Sequence, residues 1–195
     1  LVANLTFDNV ALAADSLLGE LDNGLGLMES AVQDVIVALA SEAVGIMGQL
    51  NAKTLEYTKT REQFGVAIGS FQALQHRMVD TFMSYEQAKS LLYRAVCAQA
   101  EGSDDAPRSI HALKVMIDRA GTHIYSEAIQ LHGGMGLTDE LDIGHFAKRL
   151  MMINATCGNG DYHQAQFNAL SYSQDSVSES TQARPQLATA SGERV

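Results

Sequence analysis

Two short segments carry residue types able to handle a charged ligand. Arg61-Glu62-Gln63-Phe64-Gly65 places a guanidinium beside a loop that Gly65 and Gly69 keep open. A guanidinium makes charge-assisted hydrogen bonds to phosphate, and backbone amides of a loop that opens a helix can add to them. The same residues serve equally well to punctuate two helices. Gln130-Leu131-His132-Gly133-Gly134, continued by Met135-Gly136, is the second segment. Glycines past a helix end let backbone approach a ligand closely, or form a plain C-cap and turn.

Other chemistries lack their patterns. Metal sites in helix bundles use Glu-x-x-His pairs on facing helices, and the sequence has none. It has no His-x-x-x-His around a Glu and no Cys-x-x-Cys, which leaves metal chemistry without sequence support. No Gly-x-Ser-x-Gly elbow is present for serine hydrolysis. His76, His111, His123 and His145 read as surface or structural hydrogen-bonding groups.

The elements that must position the two segments follow from hydrophobic period. Val32, Val35, Ile36, Leu39, Ala43, Ile46, Met47 and Leu50 recur every three or four residues, which predicts a long amphipathic helix from Gly26 to Lys59. Residues 61 to 70 break the period and read as a loop. A second helix is predicted over 71 to 99, on Phe71, Leu74, Met78, Phe82, Tyr85, Leu92 and Ala95. Gly102 to Pro107 ends it and starts a third, with Ser and Asp as capping candidates and Pro in the first turn. That helix runs to Leu131, and the chain becomes helical again over 142 to 154 and 162 to 170.

Ahead of these, Val2, Leu5 and Phe7 alternate with polar residues and predict a strand followed by a loop. Beyond Leu170 the composition turns to Ser, Thr, Gln and Ala, too polar to offset ordering entropy, and a loose tail is expected. The fold class is therefore all-α, an antiparallel bundle of four or five helices with a short N-terminal β remnant and a loose C-terminal tail. The expected division is 1–23 as the end of a preceding β domain and linker, 24–170 as the bundle, and 171–195 as the tail. The chain opens on Leu1 rather than Met, as expected of a piece of a larger protein.

A net charge of −10 argues against nucleic-acid binding, which needs clustered Lys and Arg. No uninterrupted apolar run approaches the roughly 20 residues that span a bilayer, and no signal-peptide pattern opens the chain. Cys97 and Cys157 fit two reduced thiols. A cytoplasmic protein with no membrane and no nucleic-acid partner is expected.

Residues 57 to 76, from Tyr57 through Arg61, Gln63-Phe64-Gly65, Phe71-Gln72 and His76, resemble the first signature of the acyl-CoA dehydrogenases. Glu127-Ala128-Ile129-Gln130-Leu131-His132-Gly133-Gly134-Met135-Gly136 resembles the second. Both stand in the family's order and helical setting, and the resemblance covers nearly all of residues 1 to 170. It implies a C-terminal helical domain that packs into tetramers and supplies FAD contacts to a neighbouring subunit. Arg61 is then expected at the FAD pyrophosphate, with Gln63, Phe64 and Gln72 lining the same cofactor. Gln130, Gly133 and Gly134 are expected at its adenosine end, and Asn159 joins the cofactor set.

The family reaction removes two hydrogens from an acyl-CoA, with a carboxylate taking the α proton. In many members that base is a Glu in a Glu-Gly-Thr segment, where this chain has Cys157 in Thr156-Cys157-Gly158. A thiol of reference pKa about 8.5 is mostly protonated at neutral pH and is a poor substitute. Asp161, four residues on, would share the Cys157 face of a continuous helix, about 6 Å along the axis. Other members carry the base on the first long helix, where this chain has Val35; the adjacent Asp34 is rotated about 100 degrees away.

Gly158-Asn159-Gly160-Asp161-Tyr162-His163 and Leu39-Ala40-Ser41-Glu42-Ala43-Val44-Gly45 are similar to the small-subunit type of two-subunit bacterial members, such as pimeloyl-CoA and steroid side-chain dehydrogenases. The resemblance implies an acyl-CoA substrate and a homo- or hetero-tetramer in which a partner subunit can carry the chemistry.

Overall fold

The computed structural model describes residues 3–181. Five α-helices follow one another: α1 (Leu25–Thr60), α2 (Gln72–Ala100), α3 (Ala106–His132), α4 (Ile143–Ala155) and α5 (Gly160–Thr181). The all-α bundle is thus the observed architecture, and helix α3 touches each of the other four. Its buried residues Ile110, Leu113, Ile117, Ala120, Ile124, Ala128 and Leu131 keep the three-and-four spacing. All but Leu131 form one core with Ile36, Ala40, Ala43, Met47 and Leu50 of α1, and Ala88, Leu92 and Ala95 of α2. Small residues on α1 and α2 let the helix axes come close, so burial here is by tight packing as well as by area.

Between α1 and α2 the expected loop contains a miniature hairpin, β1 (Glu62–Gln63) and β2 (Val66–Ala67), antiparallel with Glu62 opposite Ala67 and Gln63 opposite Val66. Its two turn residues, Phe64 and Gly65, sit at φ of 56° and 79°. Two successive positive φ angles give the turn whose twist suits a hairpin. Strands of two residues leave no period-2 pattern to read.

Pro107 lies in the first turn of α3, where its missing N–H costs nothing. Asp105 precedes that helix, and its carboxylate accepts from Ser109 at 2.9 Å and from Arg94 at 2.7 Å. Helix α4 ends against Lys114 of α3. This ammonium is almost fully buried and donates to the carbonyls of Ile153 and of Asn154. It satisfies orphan carbonyls of a helix end, where a positive charge is also favoured.

Three expectations need correction. The N-terminal strand does not form: residues 3–23 are exposed and hold a short 3₁₀ turn at Ala14–Ser16 and a turn closed by the Asn23 amide on the Glu20 carbonyl. A strand requires a laddered partner, and the only sheet among the described residues is the β1–β2 hairpin. Helix α5 continues past Leu170 to Thr181, so the first part of the stretch read as tail is helical backbone. Residues 182–195 lie outside the described residues. Finally, α1 contains an 18-residue window of mean hydropathy 1.5, long and apolar enough by length and composition to cross a membrane. Charged residues interrupt that window, so no continuous apolar run marks it in the sequence. A buried core helix passes the same test, and α1 packs its stripe on α3.

Candidate functional site

The two segments singled out by their chemistry meet in space. Arg61 and Gln63, from the end of α1 and the hairpin, line one cavity of about 410 Å³ together with Gln130, Gly133 and Gly134 from the end of α3. What joins them is an aromatic clamp. Tyr57 lies one turn before Arg61 on α1 and stacks on His132, with ring centroids 4.3 Å apart and planes 27° from parallel. The Tyr57 hydroxyl also donates to the His132 carbonyl at 3.3 Å. His132 is itself buried, and because a carbonyl only accepts, its Nδ1–H donates to Ala128 O at 2.8 Å.

The loop after the clamp is equally fixed. The Arg61 amide donates to Tyr57 O at 2.8 Å, and the Arg61 carbonyl accepts from the Ile68 amide at 2.8 Å. The Arg61 side chain is exposed and has no ion pair or side-chain hydrogen bond among the described residues. Nearby carboxylates are engaged elsewhere: Glu56 pairs with Lys59 at 2.7 Å and Glu127 with Arg77 at 2.5 Å. The guanidinium is therefore available to an anion at the cavity.

Gly133 ends α3 at φ 60° and ψ −140°, a conformation that in practice only glycine adopts. At Gly134 an added Cβ would meet nothing within 4 Å, so backbone lies open to a ligand. The C-terminal end of α3 carries partial negative charge. Arg61 is thus the group here that suits phosphate, while the glycine end suits an uncharged partner.

Other expected site residues lie apart from this cavity. Phe64 projects at the hairpin tip, 93% exposed, edge-on to Phe71 with centroids 6.2 Å apart. Gln72 is the exposed first residue of α2. Asn159 caps α5, its Oδ1 accepting from the Tyr162 amide at 3.0 Å. Tyr57, Ile68, His132 and Met135 also line the cavity and were not singled out as site residues. The signal for Tyr57 was its spacing, since a residue four before Arg61 on a helix shares its face.

No continuous helix joins Cys157 to Asp161. Helix α4 ends at Ala155, Cys157 sits in a turn at φ 58°, and α5 begins at Gly160. The shared face that a continuous helix would give Cys157 and Asp161 therefore does not exist. Asp34 is bonded to Gln99 across to α2 at 2.6 Å, and Val35 beside it is exposed and apolar.

Residues 22–169 match the family described as acyl-CoA dehydrogenase, C-terminal domain. The short-chain specific acyl-CoA dehydrogenase of Megasphaera elsdenii is 31% identical over 139 residues, 71% of this chain and 36% of that protein. The chain thus spans little more than a third of that relative's length. The structure of butyryl-CoA dehydrogenase from the same organism superposes with a TM-score of 0.79 at 24% identity, over 84% of this chain and 43% of that one. At that identity the likeness speaks for the fold. A structure of PigA with FAD and proline aligns with a TM-score of 0.69 at 29% identity, over 73% of this chain and 37% of PigA.

Proposed function

Because this chain belongs to the acyl-CoA dehydrogenase family, we propose that it is the C-terminal helical part of an FAD-dependent acyl-CoA dehydrogenase, working in an oligomer and lending its Arg61 cavity to FAD at a subunit interface. The observation that carries this reading is the meeting of both signature segments at one cavity, with an uncommitted guanidinium at one end and open glycine backbone at the other. These residues fit the group. Arg61 would hold the pyrophosphate through charge-assisted bonds, and Gln63 would add an amide beside it. Gln130, Gly133 and Gly134 would meet the uncharged adenosine end. Bound FAD supplies the hydride acceptor for α,β-dehydrogenation of an acyl-CoA thioester. The proposed bundle domain is 24–170, with 1–23 as the end of a preceding domain and linker, and with α5 carrying the bundle's last helix on to Thr181.

Replacing Arg61 with Ala in the full-length assembly tests the reading, with bound flavin measured by absorbance. Loss of a charged hydrogen-bond donor worth about 1.5–3 kcal/mol predicts FAD held about ten- to a hundredfold more weakly. Unchanged occupancy would overturn the role of Arg61.

One observation favours a second reading, a non-catalytic structural subunit that supports a catalytic partner. The position that the resemblance gives to the base holds Cys157, and the alternative position holds Val35. Purifying the full-length protein alone and with its partner, then assaying acyl-CoA oxidation with an artificial electron acceptor, separates the two. Turnover by the lone protein would reject the structural role.

A further inference from the structure

Away from the Arg61 cavity, α1, α3 and α5 border a second space of about 570 Å³. Met28, Val32 and Ile36 of α1 and Pro107 of α3 make much of its wall apolar. Its volume falls in the range of small-molecule sites, where a few placed polar groups fix orientation. Two of those groups here are His111 of α3 and His163 of α5.

The hydrogen bonds of this pair determine where its protons sit. His163 is almost fully buried, and its Nε2 lies 2.9 Å from the Cys157 carbonyl. A carbonyl only accepts, so His163 carries its proton on Nε2 and, when neutral, leaves Nδ1 as a lone pair. The Nδ1 atoms of His163 and His111 are 2.7 Å apart. One proton must lie between them, and it belongs to His111. Neutral His111 then has a bare Nε2, which no side chain among the described residues bonds.

The surroundings keep that lone pair free. Burial, and then the neighbouring His163, push the His111 pKa down to about 4, so the ring is neutral near pH 7. Protonation of His163 is likewise opposed, first by burial and also by the charge of Lys114. A cation therefore meets unfavourable charge behind His163. An anion meets the Glu29 carboxylate in the cavity wall. What remains suited is an uncharged donor on an apolar body.

We propose that the His111–His163 pair is a tautomer-locked hydrogen-bond acceptor that holds an uncharged, mainly apolar ligand by its hydroxyl group in the cavity between α1, α3 and α5. The site shares no residue with the Arg61 cavity, although its wall includes Cys157, at the position that the resemblance gives to the base. Its test reads alcohol binding and not flavin occupancy, so either reading can fail without the other.

The test is calorimetric titration of the full-length assembly with cyclohexanol, menthol and borneol, each against its methyl ether. An ether keeps the apolar body and removes the donor. The expected result is saturable binding of at least one alcohol, with its ether about tenfold weaker, the scale of one buried hydrogen bond. His111→Phe should bring that alcohol down to its ether's affinity. Equal affinities for alcohol and ether, no saturable binding of any alcohol, or a preference that survives His111→Phe would each overturn the proposal. The comparison in the unaltered protein decides the matter even if the variant fails to fold.

Discussion

If the Tyr57–His132 stack sets the distance between the two halves of the Arg61 cavity, Tyr57 substitutions should separate into two sizes. Tyr57→Phe keeps the ring over His132 and removes only the hydroxyl. That bond is long, at 3.3 Å, so its own strength lies near the low end of the usual range. Deleting it leaves the last carbonyl of α3 without this donor, and the expected loss is about 1 kcal/mol. Tyr57→Ala removes the stack as well, worth about 0.5–1.5 kcal/mol beyond its area. It also leaves a partial cavity at a half-buried site, so its total should reach about 2–3 kcal/mol, below the ~3–5 kcal/mol of a fully buried ring. Urea unfolding of the full-length assembly at fixed protein concentration measures both. Flavin absorbance should fall for Tyr57→Ala and hold for Tyr57→Phe, because only the first frees the Arg61 loop from α3. Equal destabilisation by the two variants, or flavin loss in Tyr57→Phe alone, would refute the clamp.

Gly133→Ala forces a side chain into a conformation reserved for glycine and should cost about 1–3 kcal/mol in a denaturation midpoint, whatever ligand is present. Gly134→Ala meets open space and should change folding by under about 1 kcal/mol while weakening FAD retention. Equal effects of the pair on folding would contradict this division. The His111 depression predicts a pH signature: the folded state disfavours the protonated ring, so its stability is complete above about pH 6.5 and falls as pH drops toward 4. A shift from 6.5 to about 4 corresponds to on the order of 3 kcal/mol. The slope of stability against pH in that window should flatten in His111→Phe, and parallel slopes in the two proteins would contradict the assignment.

Most of the helical frame was legible because its signal is long. The first helix was expected over 26–59 and observed as Leu25–Thr60, and the second over 71–99 and observed as Gln72–Ala100. Each stripe repeats enough times that one misplaced residue cannot shift it. The failures have the opposite character. A two-residue strand such as Glu62–Gln63 offers no period at all. Val2, Leu5 and Phe7 alternate with polar residues, but alternation records only a disposition to be half-buried, and without a ladder no strand forms. Helix α5 runs into polar sequence that has no reason to begin a helix. Once His163 and Phe167 are packed, each further residue adds a bond without the nucleation cost.

Site legibility divides along a similar line. Arg61, Gln63, Gln130, Gly133 and Gly134 could be picked out because each lies in a contiguous segment with recognisable chemistry, and all five line one cavity. The clamp that assembles them joins residues 75 apart, and the histidine pair joins residues 52 apart. Nothing local marks either pairing. Taken singly, His111 reads as an ordinary hydrogen-bonding group, which it is; its lone pair emerges only when the Cys157 carbonyl fixes the proton on His163. The Cys157 backbone oxygen thus sets the tautomer, while the residue also packs against the core. Lys114 holds the end of α4 on one side of that turn and His163 holds the Cys157 carbonyl on the other. A turn gripped from both sides by buried side chains resists the rotation that would bring Asp161 to the place of Cys157. If this protein does perform the family's proton abstraction, neither Asp161 nor Asp34 is placed to take the role of the missing Glu, and a carboxylate of a partner subunit is a source to test.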